Sequence, residues 1–543
     1  MITYNIFGFM KDKIVFILVI FFVHCLHGNS VNPFLPLWEY IPDGEPYIFE
    51  DPDNPGKYRV YIYGSHDSMK SEYCGRELVL WSASIDSLNN WRYDGIIFES
   101  KYNAKGEALN PYCIGDVLYA PDIAEVLNKD GSKTYYLYPN NQAYGRQSMI
   151  AKSNRPDGPF EVCNWDSLSP QKTVGCLGFD PAVFVDDDGK VYGYWGYKES
   201  WGAELNPKTM ATVMDNTVPV KNLVTSLNQD GVFRFHEASS IRKIKDKYVF
   251  IYSRNTFVGE FGLPESNYTL AYAYSDNPLG PFIYGGTIID CRGRDKDKNG
   301  NVIVTATPNG NTHGSIIEIN GQWYVFFHRQ TGTNEFSRQA MVAPINVEVT
   351  EGKNGTVKIS EAEFTSEGFE IYGLDPFKTY SAGIACYHIG SKPAIHNWPY
   401  MKFFGSYIKP AYYNVENKSD LYDISINSNP IVNNNNGSIV GYKYFNFKDI
   451  NTKDKVSLEV NLKPLGVDGK IEVWIGSPWV ENGGKEICTL YVNKDMPNKM
   501  VKLKAIIDNM ECLKGKIPLF FKFQSENKNK SICEFYSLGF TKH

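Results

Sequence analysis

Five polar residues open five copies of one sequence pattern, and four of them are carboxylic acids: Asp43, Asp122, Asp180, Glu237 and His313. Each precedes a short apolar stretch, a turn and an aromatic-rich segment. Carboxylates that converge in a low-dielectric site repel one another, so their pKa values separate and one site can hold an acid and a base near neutral pH. Cleavage of a glycosidic bond uses such a pair, because an acid protonates the leaving oxygen while a base activates water.

The spacing of the pattern predicts the elements that position these residues. Asp180 precedes Tyr192, in the aromatic segment, by 12 residues, and successive aromatic segments lie about 55 to 75 residues apart, the scale of one four-stranded propeller blade with its loops. A second repeat, SNRPDGPF at 153–160, returns as SDNPLGPF at 275–282. Since the first strand of every blade lines the central axis, the five opening residues are expected to converge on one pocket.

The composition and the residue pattern predict an all-β chain. Aromatic residues make up 15% of the sequence, and short alternating segments are separated by Gly, Asn, Asp and Pro. We predict a five-bladed β-propeller over 31–345, connecting strands over 346–375 and a β-sandwich over 376–543. A net charge of −6 without a Lys/Arg run argues against a nucleic-acid partner, and we expect a monomer.

Residues 1–30 have the features of a secretory signal peptide. The apolar run IVFILVIFFV follows Lys11 and Lys13, and Gly28 and Ser30 suit a cleavage site. A lipoprotein interpretation through Cys25 fits less well, because Val23 and His24 suit such a site poorly. We therefore expect a secreted, periplasmic or extracellular protein without a membrane segment after leader removal.

Cleavage would leave nine of the ten cysteines, irregularly spaced and without CxxC pairs. This spacing argues against a metal cluster and favours buried free thiols with at most one or two disulfides.

Three ordered motifs carry a family resemblance over about 300 residues. They are NPFLPLWEYIPDGEP from Asn32, GFDPAVFVDDDGKVYGYWG from Gly178 and HEASSIRKIKDKYVFIYSR from His236. In these motifs the chain resembles glycoside hydrolase family 43, the five-bladed inverting arabinofuranosidases and xylosidases. The resemblance implies that Asp43 is the general base, that Glu237 is the general acid, and that Asp180 raises the pKa of the acid and orients it. Glu45, before Pro46, is the alternative candidate for the base if the family motif is aligned two residues later.

Other residues receive roles from the same resemblance or from their position. Tyr119, where the family often has Trp, is a candidate substrate-binding residue, as are His66 and Asp67 at a strand exit. His313 is expected near the axis, where it contacts substrate, water or a structural calcium ion, or is only a polar residue at a strand entrance. Asp122 is interpreted as structural. We expect no required cofactor.

Two apparent metal signals are explained by turns. Asp186-Asp-Asp-Gly189 lies between two predicted strands, where Asp-Gly is hairpin chemistry. The segment from Asp295 to Gly300 matches half of a calcium loop, but Ala306 stands where a bidentate Glu is needed.

The C-terminal segment resembles a family 6 carbohydrate-binding β-sandwich, through NNNNGSIVGYKYFNF from Asn433 and GKIEVWIGSPWVENGGKEICTLYV from Gly469. Tyr442, Tyr444, Trp474 and Trp479 are candidate sugar-stacking aromatics. Core packing is the simpler interpretation of Tyr442 and Trp474, whereas Trp479 in a Pro/Asn/Gly loop is expected to be exposed.

The resemblance implies an inverting exo-glycoside hydrolase that removes a terminal α-L-arabinofuranoside or β-D-xyloside from a polysaccharide or oligosaccharide, and the predicted signal peptide implies that this enzyme is secreted. Two alternatives stay open: a non-catalytic glycan-binding propeller, and a galactosidase or galactofuranosidase of the same family. The presence of all three expected carboxylates favours an enzyme. The fructan hydrolases, another propeller family, are disfavoured because no WMNDPNG-like opening is present.

Overall fold

The computed structural model describes residues 30–100, 112–411, 428–451 and 453–543, so the predicted signal peptide lies outside the described residues except for Ser30. Within those ranges the chain is all β apart from four short 3₁₀ helices, at Glu260–Gly262, Ala382–Ile384, Val480–Asn482 and Met510–Cys512. Among the described residues, no helix has the length and apolarity needed to cross a membrane.

Residues up to 345 form five consecutive antiparallel sheets, here called the five-sheet region. The first two sheets contain β1 Glu45–Glu50, β2 Tyr58–Tyr63, β3 Glu77–Ser84, β4 Arg92–Glu99, then β5 Asp122–Leu127, β6 Lys133–Tyr138, β7 Ala151–Ser153, β8 Glu161–Val162. The next two contain β9 Ala182–Val185, β10 Val191–Trp195, β11 Trp201–Leu205, β12 Val220–Lys221, then β13 Phe235–Ile244, β14 Lys247–Arg254, β15 Thr269–Ser275, β16 Ile283–Asp290. After the hairpin of β17 Arg294–Lys296 and β18 Val302–Val304, the fifth sheet contains β19 Ser315–Ile319, β20 Gln322–Gln330, β21 Arg338–Ile345.

The predicted repeats are the first two strands of each sheet. The aromatic segments form the second strands, and every residue of β10 and β14 is buried. Asp186 to Gly189 make the turn between β9 and β10, and Gly189 adopts a φ of 81°, as a tight hairpin turn requires. The octapeptide repeat joins the third strand to the fourth in the second and fourth sheets.

The five sheets pack side by side around a common centre. One buried hydrophobic cluster joins each sheet to the next, and another joins the fifth sheet, through Phe326 and Val342, to Val60 and Trp81 of the first. Complete burial of such a side chain stabilises the fold by about 1.5–3 kcal/mol. The first strands also contact one another, and Tyr47 of β1 donates a 2.7 Å hydrogen bond to a carboxylate oxygen of β5.

The predicted connecting segment holds one hairpin, formed by β22 Val347–Val349 and β23 Val357–Ile359. The chain then builds a two-sheet region from β24 Tyr380–Ser381, β25 Tyr387–Ile389, β26 Ile395–Asn397, β27 Tyr400–Lys402, β28 Tyr407–Ile408, β29 Ile431–Val432, β30 Ile439–Asn446, β31 Val456–Pro464, β32 Gly469–Ile475, β33 Lys485–Val492, β34 Val501–Ile506, β35 Lys516–Gln524, β36 Cys533–Lys542.

Two larger sheets, with strand orders β28-β29-β36-β31-β34 and β25-β30-β35-β32-β33, contribute to a single buried cluster that holds this region together. A second cluster joins β25, β30, β32 and β35 to the fourth and fifth sheets of the five-sheet region. Tyr442 is in the first cluster and Trp474 in the second, which confirms the core interpretation of both. The expectation for Trp479 was wrong, because its ring is half-buried against the cluster that joins the two regions.

The nine cysteines of the described residues are all free thiols. Asp297 lies in the β17–β18 hairpin, and its carboxylate accepts backbone N–H groups from Asn299 and Asn301 at 2.8 and 2.9 Å. The half calcium loop of the sequence is therefore a turn that its own side chain stabilises.

Candidate active site

One open cavity of about 520 Å³ receives residues from all five repeats of the five-sheet region. Its lining residues are Asp43, Tyr73, Cys74, Tyr119, Ala120, Phe179, Asp180, Glu237, Asn311, Thr312, His313 and Arg338. The structure thus brings together all three predicted catalytic carboxylates, together with Tyr119 and His313.

Local backbone geometry places the carboxylates at the entrances of their strands. Asp43 and Asp180 have φ values of 59° and 49°, in the left-handed region that costs free energy for most side chains and that Asp tolerates better than most. Gly64 permits the first of these turns, because a Cβ there would lie 2.4 Å from the carbonyl oxygen of Pro42. Both aspartates are therefore held by the fold in conformations that a free chain rarely adopts.

Asp43 is buried against a guanidinium. Arg338 Nη1 donates to both carboxylate oxygens at 3.1 Å, and the Ser65 hydroxyl donates to Oδ2 at 2.6 Å. The Asp43 backbone N–H donates to His328 Nδ1 at 3.2 Å. Burial alone would raise the pKa of Asp43, but the charge of Arg338, together with smaller contributions from His328, His313 and the Ser65 hydroxyl, holds the pKa below its ordinary value. Asp43 is consequently ionised at neutral pH.

Glu237 has the opposite environment. It lies within β13, and burial raises its pKa to about 8, with further contributions from the negative charges of Asp180 and Asp43. Asp180 accepts hydrogen bonds from the backbone N–H of Ala238 at 3.0 Å and from Asn140 Nδ2 at 2.9 Å. Burial raises the pKa of Asp180 to about 6. One cavity therefore holds a protonated carboxylic acid and an ionised carboxylate at neutral pH, the division that acid–base chemistry requires.

His313 lies between two carboxylates, 3.5 Å from Glu45 Oε1 and 3.8 Å from Asp180 Oδ2. Burial lowers its pKa, but these carboxylates outweigh burial and raise the pKa to about 9, so the ring is cationic at neutral pH. Arg242 Nη2 also donates to Glu45 at 2.8 Å. The expected contact of His313 with a structural calcium ion stays a prediction.

The remaining predicted residues lie behind the cavity wall. Asp67 is buried and accepts from Arg338 Nη2 at 2.8 Å, so it orients the guanidinium that contacts Asp43. The His66 ring lies between Glu39 and Glu77, at 3.1 and 3.3 Å. Burial lowers the pKa of His66, but Glu39 in particular raises it to about 10.

Asp122 and Glu45 occupy structural positions. Asp122 Oδ2 accepts the backbone N–H of Val183 at 2.6 Å and its Oδ1 accepts the Tyr47 hydroxyl, so it connects three sheets. Glu45, the rival candidate for the base, forms an ion pair with Arg242 beneath the cavity.

Sequence reasoning missed Arg338, Tyr73 and Asn311. A buried carboxylate base needs a cation beside it, but nothing in the sequence around Arg338 separates it from the other basic residues. His328 directly follows the aromatic residues of β20, two positions before the strand ends, and that position was its only sequence signal.

Comparison with known proteins adds independent information. A family model described as glycosyl hydrolases family 43 matches residues 56–350, a range that includes Asp180 and Glu237 and begins after Asp43. A xylosidase/arabinosidase of Thermoclostridium stercorarium is 33% identical over 483 residues, covering 84% of this chain and 93% of that protein. An arabinoxylan arabinofuranohydrolase of Paenibacillus polymyxa is 28% identical over 319 residues, covering 56% of this chain and 47% of that protein.

Among solved structures, a family 43 arabinoxylan arabinofuranohydrolase from Bacillus subtilis in complex with cellotetraose aligns over 95% of this chain and 98% of its own. The TM-score is 0.44 and the sequence identity is 20%.

Proposed function

This chain belongs to glycoside hydrolase family 43 and is a glycosidase; we propose that it removes a terminal α-L-arabinofuranosyl or β-D-xylosyl unit from a polysaccharide or oligosaccharide with inversion. The observation that carries the proposal is one cavity in which Asp43 is paired with Arg338 while Glu237 is buried near the charges of Asp180 and Asp43. This placement lowers the pKa of Asp43 and raises that of Glu237 to about 8. The relatives named for xylosidase, arabinosidase and arabinofuranohydrolase activity support this sugar class.

The proposed reaction is a single displacement. Asp43 accepts a proton from water as the water oxygen attacks the anomeric carbon, and Glu237 donates its proton to the glycosidic oxygen as the carbon–oxygen bond breaks. Asp180 acts on Glu237, since its negative charge keeps the acid protonated. Attack on the face opposite the leaving group inverts the anomeric configuration. Asp43 then releases its proton to solvent and Glu237 takes one up, which restores the starting protonation states without a cofactor.

For the architecture, we propose that the five sheets are the blades of a propeller over 31–345, followed by connecting strands over 346–375 and a β-sandwich over 376–543. The buried clusters that join each sheet to its neighbours, including the fifth to the first, support the propeller. The single core shared by two sheets supports the sandwich.

We further propose a secreted or periplasmic monomer whose β-sandwich is of the carbohydrate-binding family 6 type. The apolar run after two lysines in residues 1–30 supports export. Of the four candidate sugar-stacking aromatics, Tyr444 and Trp479 are the two that keep part of their rings accessible.

A panel of 4-nitrophenyl glycosides tests the activity. We expect turnover of the α-L-arabinofuranoside, the β-D-xyloside or both above the β-D-galactofuranoside, with proton NMR of early product showing the anomer opposite to that of the substrate. Retained configuration would overturn the single displacement. If the protein binds glycans but turns over none of the substrates in the panel, the assignment as an enzyme is overturned.

The pH profile tests the role of Asp180. Because only protonated Glu237 can act as the acid, kcat/KM is expected to fall as pH rises through about 8. In Asp180→Asn a charge that raises the pKa of Glu237 is lost, so the alkaline limb should move about one pH unit lower while the maximal rate falls at least about tenfold. Asp187→Asn, in the exposed β9–β10 turn, is the matched control with an unshifted profile. An alkaline limb that stays in place in Asp180→Asn would contradict the assignment.

A further inference from the structure

A hairpin of the two-sheet region is fixed beside the catalytic cavity. It is formed by β26 and β27, with Trp398 and Pro399 at its turn. Its backbone pairs with the loop that joins β20 to β21: Met401 N–H donates to the carbonyl of Thr333 at 2.9 Å, and Glu335 N–H donates to the carbonyl of Pro399 at 3.1 Å. The turn is therefore held in a defined place on the five-sheet region.

Side-chain contacts extend from this hairpin to the cavity wall. The buried carboxylate of Glu335 contacts His396 of β26 through one oxygen and the Tyr73 hydroxyl through the other. Tyr73 lines the cavity together with Asp43 and Glu237. The Arg338 guanidinium lies over the Tyr73 ring at 5.0 Å, so the same Tyr contacts both the hairpin and the cation that pairs with the base.

Trp398 stands at the edge of this wall with its ring open to solvent. Trp398 interacts with the hydroxyl of Tyr73, which places the indole beside this cavity-lining residue. The residue nevertheless remains 68% exposed, whereas Met401 on the same hairpin is buried. A large exposed aromatic ring beside a ligand cavity is typical of a binding surface, because a ligand that covers the ring removes its apolar area from water.

A sugar is the ligand that suits this surface. The C–H face of a pyranose packs on an aromatic ring while its hydroxyls stay in water. Tyr73, the neighbour of Trp398, lines a cavity whose carboxylates fit glycoside cleavage. We propose that Trp398 is a stacking platform for the saccharide unit next to the one that is removed, so that the two-sheet region takes part in choosing the substrate. This inference rests on the proposed function for the position of the cleaved bond.

The consequence is selectivity for longer substrates. A 4-nitrophenyl glycoside fills the cavity and offers no sugar beyond it, whereas an arabinose-substituted xylotetraose extends past Tyr73. Trp398→Ala is expected to lower the ratio of kcat/KM on that oligosaccharide to kcat/KM on the nitrophenyl arabinofuranoside about tenfold, mainly through KM. Trp398→Phe, which keeps an aromatic face, should restore most of the ratio. Tyr491→Ala is the matched control, because Tyr491 is 70% exposed on β33.

Two outcomes would overturn the platform: an unchanged ratio in Trp398→Ala, or an equal loss on both substrates, which would indicate that Trp398 only supports Tyr73. Binding of xylotetraose to Glu237→Gln, with and without Trp398→Ala, separates this inference from the proposed function. Weaker binding in the double variant supports the platform even if the wild type cleaves no glycoside, whereas equal binding overturns it even if the enzyme is active.

Discussion

Glu237→Gln is expected to lower kcat on an arabinose-substituted xylo-oligosaccharide by about 10³-fold, the scale of a lost general acid. The effect on a 4-nitrophenyl glycoside should be clearly smaller, because a nitrophenolate leaves without full protonation. Gln closely matches the neutral form that Glu237 adopts below its pKa of about 8, so the thermal unfolding midpoint at pH 6 should scarcely change. Steady-state kinetics on the two substrates and calorimetry measure both effects.

The control for this variant is Asp122→Asn, which changes the equivalent opening residue of another repeat. Asp122 bonds a backbone amide and the Tyr47 hydroxyl rather than lining the cavity, so its substitution should act on stability and leave kcat within a few-fold of the wild type. Equal losses on both substrates in Glu237→Gln, or wild-type turnover, would refute the role of Glu237 as the acid.

Asp43→Asn is expected to lower kcat by about 10³-fold on both substrates alike, since an amide cannot accept the proton of the attacking water whatever the leaving group. It should also cost stability, because Asp43 accepts two hydrogen bonds from the buried Arg338. Asp67 still neutralises that guanidinium, so we expect a loss of about 1–3 kcal/mol in the free energy of unfolding, measured by denaturant titration.

Glu45, the alternative candidate for the base, supplies the control for Asp43. Glu45→Gln removes the partner of Arg242 and His313 beneath the cavity, so it should destabilise the fold without the 10³-fold loss. If Glu45→Gln loses activity as severely as Asp43→Asn while remaining folded, the assignment of the base fails.

The repeat in the sequence predicts most of the fold and the convergence of the carboxylates. Asp180, Glu237 and His313 each precede an aromatic strand by 11 or 12 positions, so their convergence was predicted from spacing. Asp43 opens a longer copy of the pattern, and its role was predicted from the family resemblance. The turns at Asp186 and Asp297 were also predicted from the sequence, because the local side chains decide the backbone conformation there.

What spacing could not predict depends on contacts between distant segments. Arg338 lies outside the repeated positions, and its importance comes only from the three-dimensional approach to Asp43 and Asp67. The half-buried position of Trp479 likewise depends on a cluster that joins two regions of the chain. No sequence motif marks the hairpin that carries Trp398, because its proposed role depends on its contact with the loop between β20 and β21.

The long separation between Asp43 and Arg338 has a consequence for synthesis on the ribosome. The two residues are 295 positions apart: the base is among the first residues to emerge, and its cation begins the last strand of the fifth sheet. A nascent chain with four sheets folded already carries Asp43, Asp180 and Glu237, yet it lacks the charge that keeps the base ionised once it is buried. The site is therefore complete only when the fifth sheet closes against the first, while the two-sheet region that follows Ile345 has still to be synthesised.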